Sequence, residues 1–273
     1  MSKDPPVIVS IGDLHAGSKR APCPPDFRDD DGDGVNLSKT GKWLWACWEH
    51  WCHEWLPSVL EGRPYVLVVG NDAVEGLHHR NGHERYFGDV STDVKIAHLM
   101  LAPLAKKALK TLVVRGTECH VGNSEAKLGE MLGAVRDPET GSHSAFQWLL
   151  EVNGTLHSFQ HHIGTTTRAA LAFTALGVQL FEEQGQSARY SRPVPKVVCR
   201  QHRHVYGYAG DDTSVAIAGP AWQLKTWHGN KVAGSSVEGI GGFVLDHRGV
   251  EKGGIPRWRA KVYRPLPKEI VKA

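Results

Sequence analysis

Five short polar clusters in this chain carry residue types that bind divalent metals: Asp13-x-His15, Asp72, Glu118-x-His120, His161-His162 and His202-x-His204. Each follows an apolar run. Carboxylate mixed with imidazole suits manganese, iron, zinc or nickel rather than calcium. One histidine past a strand is commonplace. Five clusters in succession are hard to explain by packing. Buried together without a partner or an ion, such groups would each cost roughly several kcal/mol.

The elements that must position these clusters can be read from apolar patterning. Val7 to Ile11, Tyr65 to Val69, Thr111 to Val114, Gly154 to Phe159 and Lys196 to Cys199 read as strands. A helix over Ser38 to Val59 puts Leu44, Trp48, Trp51 and Trp55 on one face, widened by Trp43 and Trp45. This tryptophan cluster reads as a helix packed on a sheet rather than a base-stacking platform. Pro57 falls in its last turn, and Glu61-Gly62-Arg63-Pro64 stops it. A second helix spans 93–110, with Val94, Ala97, Leu101 and Leu104 inward, His98 at the border and a kink expected at Pro103. A third runs from Thr166 to Glu183. Beyond it the pattern is strand and turn: Ser214 to Ala218, Trp222 to Thr226, Gly242 to Asp246 and Arg257 to Arg264, with no helix before the last few residues. Strands alternating with crossover helices imply an α/β architecture whose strand ends share one edge. The whole chain, 1–273, reads as one domain of two packed sheets flanked by helices.

Composition narrows the class. The chain is 41% hydrophobic and 22% charged, which describes a globular protein. No apolar run spans a bilayer and no signal segment opens the chain, so a cytoplasmic location is expected, with no membrane partner. Five scattered cysteines suggest neither a disulfide framework nor a cysteine zinc site. A net charge of +3 does not diagnose a nucleic-acid partner. An acidic, proline-rich insertion at about 17–36 holds Asp29, Asp31, Asp33 and Gly34 at calcium-loop spacing. Its twelfth position is Thr40 rather than glutamate, and no helix precedes it, so a solvated acidic loop is the preferred reading. His78, His79 and His83 follow Asp72 in what reads first as an exposed polar loop, with His78 and His79 as candidates to contact a phosphate. Arg257 and Arg259 are phosphate candidates too, sharing one face of a basic C-terminal strand (about 257–264) with Lys261, a stripe that reads equally as a solvated sheet face.

The ordered clusters resemble the calcineurin-like metallophosphoesterases. That family carries Asp-x-His, Gly-Asp, Gly-Asn-His, an isolated His and Gly-His-x-His in this order. Here they stand as Asp13-Leu14-His15, Gly70-Asn71-Asp72, Gly116-Thr117-Glu118-Cys119-His120, His161 and Gln201-His202-Arg203-His204, over about residues 7–226. The third motif is similar to that of the phage-type and DNA-repair-exonuclease-like branches. The resemblance implies a four-layer αββα sandwich and two divalent transition-metal ions, with manganese the first expectation. It also implies hydrolysis of phosphate esters by metal-bound hydroxide. Asp13, His15 and His204 would hold one ion, His161 and His202 the second, and Asp72 both. His161 is preferred to His162 as ligand. No asparagine follows Gly116, so Glu118, Thr117 or His120 would fill its place, unless His120 is the general acid. Gln201 in place of glycine is expected to matter only for the turn.

The leading expectation is therefore a two-metal hydrolase acting on phosphodiesters, as a nuclease on DNA or RNA or as a nucleotide phosphodiesterase. A phosphomonoesterase is the alternative within the class. From another class, the alternative is a nucleic-acid-binding protein with an inactive metal site. A closed structural metal site is disfavoured by the absence of cysteine ligands. Oligomeric state is left open.

Overall fold

The computed structural model describes residues 4–78, 81–164, 173–232 and 239–265. In chain order its strands are β1 (Val7–Ile11), β2 (Tyr65–Val69), β3 (Lys110–Val113), β4 (Gln147–Val152), β5 (Thr155–Gln160), β6 (Val197–Arg200), β7 (Gly207–Gly210), β8 (Val215–Ala218), β9 (Ile240–Asp246) and β10 (Arg257–Tyr263). The helices are α1 (Lys39–His50), α2 (Leu56–Leu60), α3 (Val90–Ala105), α4 (Glu118–Val121), α5 (Ser124–Met131), α6 (Thr174–Arg189) and α7 (Trp227–Val232). Two five-stranded mixed sheets form, in the orders β10-β9-β1-β2-β3 and β4-β5-β6-β8-β7.

Side-chain alternation along the strands builds the layers. In β1, Val7, Val9 and Ile11 face the helices with Trp48, Trp51, Ile96, Leu101 and Leu128. Ile8 faces the other way, into a core with Val66, Val68, Phe243 and Leu245 of its own sheet and Phe159, Val197, Cys199 and Ile217 of the second sheet. The outer face of the second sheet buries Val198, Ala216 and Ala218 under Leu176 and Leu180 of α6. The result is the four-layer αββα sandwich. Strands β1, β2 and β3 run parallel in one sheet, and β5, β6 and β8 run parallel in the other. Within each sheet their C-terminal ends share an edge, and the bond from the His202 amide to Asp13 brings the two edges together.

The first long helix forms where its periodicity places it, capped by Ser38, whose hydroxyl accepts from the Gly41 amide at 3.1 Å. It is not one helix. A π turn at Trp51–Trp55 separates α1 from α2. Pro57 lacks an N–H and its ring crowds the carbonyl four residues back, and the wider turn accommodates it. Trp51 is fully buried on the sheet face. It lies there because Gly242 has no Cβ; one would stand 2.7 Å from the indole.

Several expected elements differ. Helix α3 starts at Val90 rather than 93, because the Asp89 carboxylate caps it by accepting from the Thr92 amide at 3.1 Å. Trp222 to Thr226 is not a strand. Its amides bond singly to separate loops, Trp222 to the Asp13 carbonyl and Leu224 to the Arg20 carbonyl, each at 2.9 Å. The short α7 follows where no helix was expected. Strands β4 and β7 and helices α4 and α5 have no counterpart in the sequence reading. The expected helix from Thr166 starts outside the described residues, and so does any helix in the last eight. No helix among the described residues is long and apolar enough to cross a membrane.

Candidate metal centre

Asp13 and His15 follow β1, Asp72 follows β2, Thr117 follows β3, His161 follows β5, and His202 and His204 follow β6. The backbone bends sharply to present them. Asp13, His15, Asn71, Asp72, His202 and His204 all adopt positive φ, between 45° and 130°. They are six of the nine non-glycine residues that do so among the described residues. Such conformations are costly for residues with a Cβ and collect at functional sites.

At one pole stand Asp13, His15 and His204, with ligand atoms close enough for one ion. The two Nε2 atoms of His15 and His204 lie 3.2 Å apart. His15 Nδ1 is 3.0 Å from the Glu75 carboxylate, which itself accepts from the Gln223 side-chain Nε2 at 2.6 Å. With Nδ1–H donated to Glu75, the bare Nε2 faces the cluster, as in a carboxylate–histidine–metal relay. Asp13 accepts from the His202 amide through Oδ2 at 3.0 Å, tying the two sheets together. Its buried Oδ1 has no hydrogen-bond partner and stands 3.5 Å from His204 Nε2.

At the other pole, His161 Nε2 lies 3.1 Å from Asp72 Oδ2 and 3.2 Å from His202 Nδ1. Asp13, Asp72 and His161 form a group that joins the poles, and His161, His162 and His202 form a further one. Of the two adjacent histidines, His161 is buried and His162 is exposed. Of Thr117, Glu118 and His120, it is Thr117 that lies against this pole. Its amide donates to Asp72 Oδ1 at 2.7 Å, and its hydroxyl lies 3.1 Å from Asp72 Oδ2, 3.3 Å from His161 Nε2 and 3.4 Å from His202 Nδ1. Gly116 is required beside it, since any Cβ would run into the Asp72 carboxylate.

The electrostatics follow from burial and from these pairings. Burial draws the Asp72 carboxyl upward, but His161, with His15 and His120, outweighs it and holds the group far below the usual carboxylate range. Burial also works against a charged His161, yet Asp72, aided by Asp13 and Glu125, lifts it to about 9. Asp13 is lowered and His204 raised for the same reason, their mutual attraction overcoming burial. Behind Asp72 lies Glu125, wholly buried, accepting from the Gly116 amide at 2.7 Å. Burial first and the Asp72 charge second push it up to about 8.

The remaining predicted residues fall elsewhere. Glu118 is exposed and belongs to no donor group among the described residues. His120 sits beside the first pole, grouped with His15 and Glu75, and its Nδ1 is 2.9 Å from the Glu75 carbonyl. Burial and then His15 lower its pKa to about 4. A neutral imidazole whose Nδ1–H is donated to a carbonyl suits a ligand or acceptor through Nε2, not a proton donor near neutrality. His78 is packed rather than exposed, 3.1 Å from Glu75 and with its ring centroid 3.9 Å from that of His120. His79 lies outside the described residues. Arg257 pairs with Asp246, next to the Leu245 that pairs with Ile8, so it stands at the end of the sheet away from the cluster. Arg259, two residues on, is also on this outer edge strand, and neither arginine reaches the centre. The acidic loop folds on itself, with Asp29 Oδ1 accepting from the Asp31 and Asp33 amides at 3.1 and 2.8 Å.

Gln201 does more than form the turn. It is buried, and its side chain fills a slot lined by Gly12, Gly70 and Gly219, from strand ends of both sheets. Glu75 and Glu125 were missed by the sequence reading. Glu75 is visible three residues past Asp72, but nothing in that spacing says it faces His15. Beside the second pole a cavity of about 560 Å³ opens, lined among others by Arg115, Glu118, Asn123, Phe146 and His162.

No family model matches the chain, and no curated protein matches it. Solved structures do. Vps29 with zinc from Entamoeba histolytica aligns over 94% of this chain and 98% of its own, at 8% identity and a TM-score of 0.43. An archaeal phosphodiesterase aligns over 94% and 99%, at 12% identity and a TM-score of 0.40. A predicted phosphoesterase from Streptococcus pneumoniae aligns over 95% and 100%, at 9% identity and a TM-score of 0.36.

Proposed function

We propose that this chain is a metal-dependent phosphoesterase with two ions, acting on phosphodiesters. The observation that carries the reading is the meeting of Asp13, His15, Asp72, His161, His202 and His204 at one edge, delivered by strands of both sheets, all but His161 in left-handed backbone. The donors fit divalent cations. The buried Asp13 Oδ1 lacks a hydrogen-bond partner, and the ring nitrogens of His15 and His204, and of His161 and His202, face each other at 3.2 Å beside carboxylate oxygens, the mixed donor set a divalent cation takes. Asp13, His15 and His204 would hold one ion. Asp72, His161 and His202 would hold the other, with the Thr117 hydroxyl beside it and Asp72 shared. When bound, such a pair supplies Lewis acidity at phosphoryl oxygens and lowers the pKa of coordinated water.

The chain's own residues set up that chemistry. Glu75 fixes the His15 tautomer so that Nε2 points inward. The Thr117 amide and hydroxyl hold both Asp72 oxygens in place. Glu125 fixes the Gly116 amide from behind. The branch resemblance favours diesters over monoesters, and the 560 Å³ cavity beside the second pole leaves room for an ester group larger than a proton. The deciding experiment compares methyl 4-nitrophenyl phosphate with 4-nitrophenyl phosphate on chelated and manganese-loaded protein, with metal content measured in parallel. Manganese-dependent turnover, faster on the diester, is expected. Faster turnover of the monoester overturns the diester preference. Two bound ions with no turnover of either favour the non-catalytic alternative.

A further inference from the structure

The cavity beside the second pole has a wall that metal chemistry does not require. Phe146 is 70% exposed, and the Arg115 guanidinium lies 5.3 Å from its ring centroid. Both parts are held firmly. Arg115 donates through Nε to the Ser144 hydroxyl at 3.2 Å and through Nη2 to the Ser142 hydroxyl at 3.3 Å. Ala145, just before Phe146, is bonded on both sides: its amide donates to the Val113 carbonyl at 3.1 Å and its carbonyl accepts from the Arg115 amide at 2.8 Å. Past Phe146, Trp148 donates to the same Val113 carbonyl at 2.8 Å. The ring thus rises from a bonded stretch of backbone, with a guanidinium beside it, and lines a cavity that also touches His162 next to the centre.

We infer that this cavity is a nucleobase subsite, so that the phosphodiester taken by the centre carries a nucleoside whose base stacks on Phe146. The inference rests on the phosphoesterase reading for the position of the phosphate. A planar, exposed aromatic ring is what a base stacks on, and the guanidinium beside it adds a cationic group. The cavity volume lies within the usual range for small-molecule sites. The polar groups fit the same occupant. Glu118 offers acceptor oxygens, and Asn123 offers both donors and acceptors, for base edges or sugar hydroxyls. They do not fit further phosphates, because the carboxylate repels anions and Arg115 has two of its N–H groups engaged by serines.

The test compares two esters with one leaving group on the manganese-loaded protein: thymidine 5′-(4-nitrophenyl) phosphate and methyl 4-nitrophenyl phosphate. Wild type should favour the nucleoside ester in kcat/KM. Phe146→Ala should reduce that preference roughly 5- to 150-fold, the worth of one stacked base, and Phe146→Trp should preserve it. A wild-type preference near unity, or one that Phe146→Ala leaves intact, overturns the inference. A second arm needs no turnover. Adenosine 5′-monophosphate and ribose 5-phosphate are titrated onto metal-free protein by calorimetry, with the nucleotide expected to bind more tightly and Phe146→Ala to erase the difference. If neither ester is hydrolysed with any metal, the phosphoesterase reading falls, and this arm still decides the subsite: equal affinities reject it.

Discussion

Individual side chains at the centre have separable roles, and substitutions should distinguish them. Asp72 stands against Thr117 and His161 and is the carboxylate assigned to both ions. Asp72→Asn keeps the shape and removes the charge, so metal content should fall at both positions and turnover should nearly vanish. Elemental analysis beside a diester assay checks this. Thr117→Val keeps the volume but strips the hydroxyl from Asp72, His161 and His202. We expect about 10–100-fold weaker metal affinity, the usual cost of losing an outer-shell partner, with Thr117→Asn closer to wild type. His120→Ala separates the two readings of that residue. Lowered metal content at the first pole identifies a ligand, as its neutral state favours. Full metal content with a rate loss of about 10²–10⁴, shrinking with better leaving groups, would instead identify the general acid.

At the scale of elements, the glycine-lined slot under Gln201 links the two sheets directly behind the ligands. A Cβ at Gly12 would collide with the Gln201 side chain, which Gly70 and Gly219 also hem in next to the ligand His202. Gly12→Ala should cost about 1–3 kcal/mol of stability, by thermal or urea unfolding, and weaken metal binding as well. This slot also marks where the sequence stops being legible. Buried apolar runs, rich in β-branched residues in β1, β2 and β6, announced β1, β2, β3, β5 and β6, and the ligands at their ends stood out by residue type. Strand β4 buries only alternate positions on an edge, β7 is Gly-Tyr-Ala-Gly, and α5 contains glycine, so none carries a strong pattern. The partners of the ligands were hidden for a different reason. Glu75, Glu125 and Gln201 matter through contacts between distant segments, and no local periodicity encodes them. The basic stripe on β10 was legible as a stripe, but only the register shows that Arg257 stands at the end of the sheet away from the ligands.

For the molecule as a whole, the centre should set how stability responds to pH. Folded His161 keeps its proton up to about 9, whereas an unfolded histidine loses it near 6.5. Its contribution in the metal-free protein is therefore complete below pH 6.5 and is lost as pH rises to 9. The chelated protein should show a falling Tm across that window. Saturating manganese should flatten or reverse the fall, because the ion takes the place of the proton. On the acid side, the buried pair His157 and His247, 3.1 Å apart and remote from the centre, is held neutral. Burial and then His247 bring His157 down to about 4. Its contribution is present above pH 6.5 and is lost as pH falls through 4, with or without metal. The left-handed backbone at Asp13, His15, Asn71, Asp72, His202 and His204 carries a consequence of another kind. At those positions glycine would relieve the torsional cost, so the most stable apo fold and the best ion binder are different sequences. A screen for heat resistance alone, run in chelator, should drift toward glycine at this edge and return a sturdier protein that no longer holds metal.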